Sequence, residues 1–302
     1  MGAVIAATAI STDPEVKSSV DHAVLAAEEC LAKAGVSRKE IDILISVGIY
    51  RDENIGEPAM APLIQKRLGM NPIYDAGMSH KTFSFDLLNG SSGFLNAVQI
   101  IHSLFVNREI RYALVVSSEM HPSQKQVLDF PFTHHGAATL FAWSDDEARG
   151  FQKVFFRTSD DDRYGLEGYV DLLGYGPHAR YNITIEADAD YMARLKQFTV
   201  DSLRIFYRRL DDFSIVDLSK LKFLTSVPVR GFGEMVVRSI SLLSNNPNPV
   251  ICLHEKYGDP HSSALMIAYH EAAEEGSIAA GDQVLFVGAG SGITVGAALY
   301  FA

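Results

Sequence analysis

The chain is poor in cysteine and tryptophan, has no long apolar run and carries no basic block. Its only thiols, Cys30 and Cys252, lie in a helix-like and a strand-like segment far apart. That spacing excludes a disulfide-stapled secreted scaffold and a cysteine metal pair, and the expectation is reduced packing residues in the cytosol. No apolar stretch reaches the ~18 residues of a membrane span. The opening MGAVIAATAISTD lacks the basic region of a signal peptide and reads as a first strand. Ala6 stands where a myristoylation signal after Gly2 wants serine or threonine. Lysine and arginine total 26 against 37 acids, for a net charge of −11. With no basic cluster rising out of that background, nucleic acid and membrane are not expected partners. No metal or cofactor is expected either.

What is present is a chain able to bury a large core: 47% of residues are hydrophobic and 21% charged. Apolar strand-like runs at 4–9, 43–48, 112–117, 138–143, 223–227, 250–253, 284–287 and 297–301 alternate with amphipathic helical patterns. The helical patterns fall near 20–34, 59–68, 93–106, 191–210, 232–243 and 262–275. This is an α/β layout. Three segments recur in the same order. VSRKEIDILISVGIY at 36–50 matches VDLSKLKFLTSVPVR at 216–230; 90–119 matches 258–292; GAATLFAW at 136–143 matches GAALYFA at 296–302. The expectation is a duplicated fold, with one half in 1–150 and, in 151–302, a loop insertion followed by the second half. Each half has a glycine-marked loop entering a helix, near Gly90 and Gly258. Two helix N-termini meeting at one central site would offer N–H groups to a polarised or anionic oxygen.

FDLLNGSSGFLNAV (85–98), YALVVSSE (112–119), KYGDPHSSA (256–264) and GAGSGITVGAALYF (288–301) resemble ketoacyl-ACP synthase III of the thiolase superfamily over nearly the whole chain. The resemblance implies a five-layer αβαβα sandwich of two similar halves, dimeric through the first. It also implies acyl thioesters of CoA or acyl carrier protein as substrates. The family holds its acyl group on a cysteine and polarises malonyl thioester with a histidine and an asparagine. Matched to those motifs, the cysteine position is Ser91, the histidine position Val229 and the asparagine position Asp259. The backbone N–H groups of Ser91 and Ser291 stand where the family forms its oxyanion hole. The family's segment for the CoA adenine is also shortened, with only 11–19 between the first strand and helix and the sole tryptophan, Trp143, on a later strand.

These replacements carry chemical consequences. A serine needs an adjacent base to become a nucleophile, valine donates no hydrogen bond, and an ionised Asp259 would repel an enolate. Ordinary decarboxylative condensation is therefore not expected. His261, two residues after Asp259, and His135, beside His134, are the candidate bases for a Ser–His pair. The competing reading of Ser91 is a helix N-cap. Glu119, at the end of a strand, reads either as a pocket-lining group or, in the favoured reading, as a buried structural hydrogen-bonding group. Arg230 and Arg238, or Arg204, Arg208 and Arg209, could meet an acidic carrier or form a solvated face. The segment 71–86, with Ile73, Tyr74, Phe83 and Phe85, is the expected dimer strand. Three functions stand open: an atypical acyltransferase using Ser91, as a homodimer; a non-catalytic partner of an active ketosynthase, as a heterodimer; or a binding role in which the pocket holds an acyl chain or small acid.

Overall fold

The computed structural model describes residues 2–73, 81–107, 110–210, 216, 221–226, 232, 238, 250–251 and 254–302. Val229, Arg230, Tyr74 and Cys252 lie outside the described residues. Two five-stranded sheets dominate. The first has the order β1 (Gly2–Ser11), β5 (His135–Ser144), β4 (Tyr112–Glu119), β2 (Ile43–Ser46), β3 (Phe83–Asp86). The second has the order β6 (Gly150–Thr158), β12 (Thr294–Phe301), β11 (Gln283–Gly290), β9 (Lys222–Thr225), β10 (Val250–Ile251). In each, two antiparallel pairings are followed by two parallel ones. The two sheets are the same topology written twice. A hairpin of β7 (Leu166–Tyr169) and β8 (Thr184–Ala187) forms a third, two-stranded sheet.

The helices are α1 (Ser19–Ala34), α2 (Met60–Leu68), α3 (Gly93–Val106), α4 (Tyr191–Leu210) and α5 (Ala264–Glu274). α3 buries Phe94, Leu95, Val98, Ile101 and Phe105, and α5 is buried continuously from Ala264 to His270. Helices apolar around most of their circumference belong inside, and both share one core with residues of the two sheets, from Ile45 to Phe286. α1 and α2 pack on the outer face of the first sheet through Ala23, Ala27, Leu31 and Ile64. α4 covers the outer face of the second through Leu195, Leu203 and Phe206. The result is the five-layer αβαβα sandwich of the thiolase fold.

Sequence periodicity places α3 and α4 at their observed bounds and misses β6 and the β7–β8 hairpin, whose residues are partly exposed and weakly alternating. Cys30 is buried and its thiol donates to the Ala7 carbonyl, while burial pushes its pKa up to about 12. It is a packing residue. Asp86, at the end of the edge strand, accepts from the first amides of α2 at Met60 (2.8 Å) and Ala61 (2.7 Å) and pairs with Arg51 at 2.7 Å. A carboxylate at a helix N-terminus satisfies its unpaired N–H groups.

Buried histidines make the fold acid-sensitive. Burial, followed by the charges of His135 and His134, lowers His22 to about 4, against ~6.5 in an unfolded chain. Between those values the unfolded state binds the proton more readily, so stability is present above pH ~6.5 and is lost as pH falls toward 4. His102, His121, His134, His135 and His270 are also lowered, each chiefly by burial. Urea unfolding at neutral and mildly acid pH should show this loss, and His22→Asn should reduce it by up to about 3 kcal/mol.

Candidate active site

The site gathers at the C-terminal ends of the parallel strands, where open α/β sheets place their ligands. Glu119 ends β4, Gly290 ends β11, and Ser226 follows β9. The loop after β3 enters a 3-10 turn, Gly90–Ser92, that runs into α3; a matching turn, His261–Ser263, runs into α5. The turns superimpose in sequence as Gly-Ser-Ser and His-Ser-Ser, and in backbone: Gly90 has φ +48° and His261 has φ +47°. A left-handed backbone suits glycine and is costly for histidine, by about 1–3 kcal/mol. Such strain clusters at functional positions.

His261 is buried and fixed from several sides. Its Nδ1 lies 3.0 Å from Oε1 of Glu119, its backbone N–H donates to Asp259 at 2.8 Å, and its ring stacks on Phe132 at 4.2 Å. Burial works against its charged form, but the Glu119 charge and hydrogen bond, with Asp259 adding, outweigh it and raise the pKa. Glu119 has no exposed surface. It accepts from Tyr50 N at 2.7 Å, from Ile49 N at 3.3 Å and from the hydroxyl of Ser262. Ser262 in turn bonds Ser117 at 2.7 Å, which Ser263 bonds at 2.9 Å.

On its other side His261 faces Gly90. A Cβ built there would lie 3.5 Å from Nε2 of His261 and 3.9 Å from the Ser291 hydroxyl. Ser91, Ser226, Asp259, His261, Gly290 and Ser291 share one cavity of about 210 Å³ with the apolar Phe132, Leu166, Ala187, Tyr191, Met192 and Leu195. The β7–β8 hairpin and α4 thus supply its apolar wall. Burial, then the Asp259 charge, pushes the Tyr191 hydroxyl up to about 12, so it remains a neutral donor.

The sequence candidates separate cleanly. Ser91, Asp259, His261 and Ser291 meet at the cavity. His135 does not line it: the ring sits on β5, with Nε2 3.3 Å from the Tyr257 carbonyl. The N-cap reading of Ser91 does not hold, because Asn89 and Ser92 occupy the cap positions and Ser91 lies inside the turn. Ser91 and His261 line the cavity together without a hydrogen bond between their side chains. The group that sequence reasoning set aside is Glu119. It is buried and hydrogen-bonded as expected, but its bond is to the candidate base. Of the arginines, Arg204 pairs with Asp201 on the surface, Arg209 lies over Phe155, and Arg238 is exposed.

Comparison with known proteins agrees with this architecture. Residues 233–301 match the family described as 3-oxoacyl-[acyl-carrier-protein (ACP)] synthase III C terminal. The β-ketoacyl-[acyl-carrier-protein] synthase III of Rickettsia bellii is 25% identical over 96% of this chain and 86% of its own length. That of Aquifex aeolicus is 23% identical over 92% and 82%. Among solved structures, OleA of Xanthomonas campestris superimposes with a TM-score of 0.78 at 16% identity, covering 100% of this chain and 99% of its own. The 3-oxoacyl-[acyl-carrier-protein] synthase III of Aquifex aeolicus gives 0.75 at 20% identity, covering 100% of both. The chain is similar to ketoacyl-ACP synthase III over nearly its whole length and shares the thiolase-like fold of these structures. Among the described residues no group of three or more metal-binding side chains occurs, and no helix is long and apolar enough to cross a membrane.

The Glu119–His261 contact has a measurable signature. Glu119→Gln removes the charge that raises His261 and leaves burial, which lowers it. The His261 titration, followed by NMR, should move from above 6.5 in the parent to below it in the variant.

Proposed function

We propose that the chain is an atypical ketosynthase III-like acyltransferase that takes acyl groups from CoA or carrier-protein thioesters onto Ser91, within fatty-acid or polyketide-type biosynthesis. The observation that carries the reading is the fixing of His261, whose Nδ1 is held by buried Glu119 while Nε2 turns to the Gly90–Ser91 turn. In the neutral ring, Nδ1–H donating to Glu119 leaves Nε2 as the lone-pair acceptor. Catalytic hydrogen bonds often tighten only in the Michaelis complex. The relatives' names, β-ketoacyl-[acyl-carrier-protein] synthase III, support a thioester donor.

The step follows from these roles. The Ser91 hydroxyl passes its proton to Nε2 of His261 as Oγ bonds to the thioester carbonyl carbon. The oxyanion accepts hydrogen bonds from the Ser91 and Ser291 amides, donors worth ~3 kcal/mol in acyl transfer. Collapse breaks the carbon–sulfur bond, and the departing thiolate takes the proton from His261 and leaves as free thiol. An alcohol, amine or water then attacks the acyl-serine with His261 again as base, and the proton returns to Ser91 Oγ. Decarboxylative condensation is not part of this reading, since Val229 and Asp259 replace its polarising pair.

Incubation with acyl-CoA should add the acyl mass to the peptide carrying Ser91 and release thiol. Ser91→Ala should abolish the adduct, and His261→Ala should slow its formation by ~10²–10⁴. Because the base must be unprotonated, the parent rate should climb with pH through an apparent pKa above 6.5. An adduct that persists in Ser91→Ala would end the proposal.

A second reading, the non-catalytic partner of an active ketosynthase, draws on the edge strand β3. One side of β3 pairs with β2, and among the described residues no strand pairs with the other. Phe83 is 54% exposed beside an apolar groove lined by Ile43, Phe85, Leu104 and Ile110. An open edge of this kind invites pairing with another chain, and obligate interfaces bury ~2,000 Å² or more. Light scattering should give a dimer, and Phe83→Lys should weaken it. Exchange of one copy for a co-expressed active ketosynthase would favour the partner role; a homodimer left unmixed would count against it.

A further inference from the structure

Four histidines that the proposed acyl transfer does not use gather around the loop joining β4 to β5, residues 120–134. His121 and His134 stand at its two ends, and His135 begins β5. His22 of α1 packs on Gly136, where a Cβ would lie 2.9 Å from the Cβ of His22. The two loop rings close the loop by accepting from its backbone. Nε2 of His134 accepts from the His121 N–H at 3.3 Å, and Nδ1 of His121 accepts from the Ser123 N–H at 3.1 Å. A neutral imidazole keeps one lone-pair nitrogen and an imidazolium keeps none, so both bonds exist only while the rings are neutral. The other two rings have no acceptor for a second proton. His135 donates through Nε2 to the Tyr257 carbonyl at 3.3 Å, which leaves its Nδ1 buried and unpartnered. His22 bonds Ser11 through Nδ1 at 2.9 Å, and its Nε2 is likewise buried and unpartnered.

The charged groups around the rings do not compensate. Lys17, from the segment between β1 and α1, opposes a charge on His134, and the rings oppose one another. The carboxylates on the neighbouring elements are engaged elsewhere. Asp52 accepts from Ser18 and Ser19, Glu53 pairs with Arg180, Glu119 holds His261, and Asp259 accepts from the His261 amide. Lys125 and Asp129, on the loop itself, are exposed.

The loop is also a wall of the candidate site. Phe132 lines the cavity and stacks on His261 at 4.2 Å. Thr133 donates its N–H to the Asp259 carbonyl and its hydroxyl to the Tyr257 carbonyl, each at 2.8 Å. Gln124 has φ +55°, a left-handed backbone that a non-glycine residue keeps only where its surroundings impose it.

We infer that the β4–β5 loop is an acid-released latch, closed over His261 and the 257–259 segment while its histidines are neutral and freed when they take up protons. The inference stands whether or not Ser91 is a nucleophile. Burial, before any other cause, lowers all four rings in the closed state, and a released ring returns toward ~6.5. The released loop therefore binds protons more readily. Closure is favoured above pH ~6.5 and is lost as pH falls below it, by up to about tenfold per pH unit for each ring that protonates on release.

Hydrogen–deuterium exchange of the full chain at pH 7.5 and 5.5, corrected for intrinsic exchange rates, reads the latch directly. Peptides from 120–134 should lose protection by about tenfold or more at the lower pH, while α3 keeps its own. His121→Asn combined with His134→Gln puts side-chain carbonyls in place of the two accepting nitrogens and removes their titration, so this variant should stay closed at pH 5.5. Should it fail to fold, Lys17→Gln at an exposed position removes the cation beside His134 and should move release upward by about half a pH unit. The latch is overturned if the parent loop stays protected at pH 5.5, or if loop and α3 lose protection together. It is equally overturned if the folded double variant releases as the parent does, or if Lys17→Gln leaves the release pH unmoved.

Discussion

The architecture of the site depends on one buried carboxylate. Glu119 has no contact with water, and a buried charge is tolerated only when it is paired and hydrogen-bonded. Its partners come from three directions: the Ile49 and Tyr50 amides after β2, the ring of His261, and the hydroxyl of Ser262 at the entry to α5. A single side chain therefore ties the first half of the fold to the second at the place where their helices begin. Removing it would leave four donors without their acceptor, a larger loss than one hydrogen bond.

The duplication explains where the candidate site sits. β4 and β11 occupy the same place in their sheets, and their last residues are Glu119 and Gly290. The turns that follow the edge strands carry Gly90 and His261 at one shared backbone conformation. Each half thus provides a side chain where the other provides none. A Cβ at Gly290 would meet the Ser91 amide at 3.6 Å and one at Gly90 would meet His261 at 3.5 Å, both ordinary contacts, so it is the left-handed backbone that favours glycine at Gly90. Two symmetric helix entries have become one asymmetric arrangement, with Glu119 opposite Gly290 and His261 opposite Gly90 at matching positions.

Among the described residues the hairpin β7–β8 has no counterpart in the first half, and it walls a cavity over the pair of helix entries. Leu166 and Ala187 from the hairpin, with Tyr191, Met192 and Leu195 of α4, supply the apolar wall opposite the polar groups. Exclusion of water from that side strengthens every hydrogen bond made by His261 and Glu119. Beside the same hairpin, Arg163 and Arg194 form an ion-pair cluster with Asp161, Asp188 and Asp190.

The amino-acid order alone carries the α/β layout and the repeat. Periodic apolar patterns place α3 and α4 at their bounds, and the recurring segments announce two sheets of one topology, because burial on a helix or strand leaves a spacing that can be read locally. It also marked Ser91, Asp259, His261 and Ser291 through family motifs. It could not decide between His261 and His135, which differ only in what lies across the fold: the first meets Glu119 and the cavity, the second the Tyr257 carbonyl. Nor could it lift Glu119 out of a strand end, since its partners Tyr50 and His261 are distant in sequence. Those contacts exist only once the two sheets have packed around α3 and α5, and that packing alone decided which polar residues became a site.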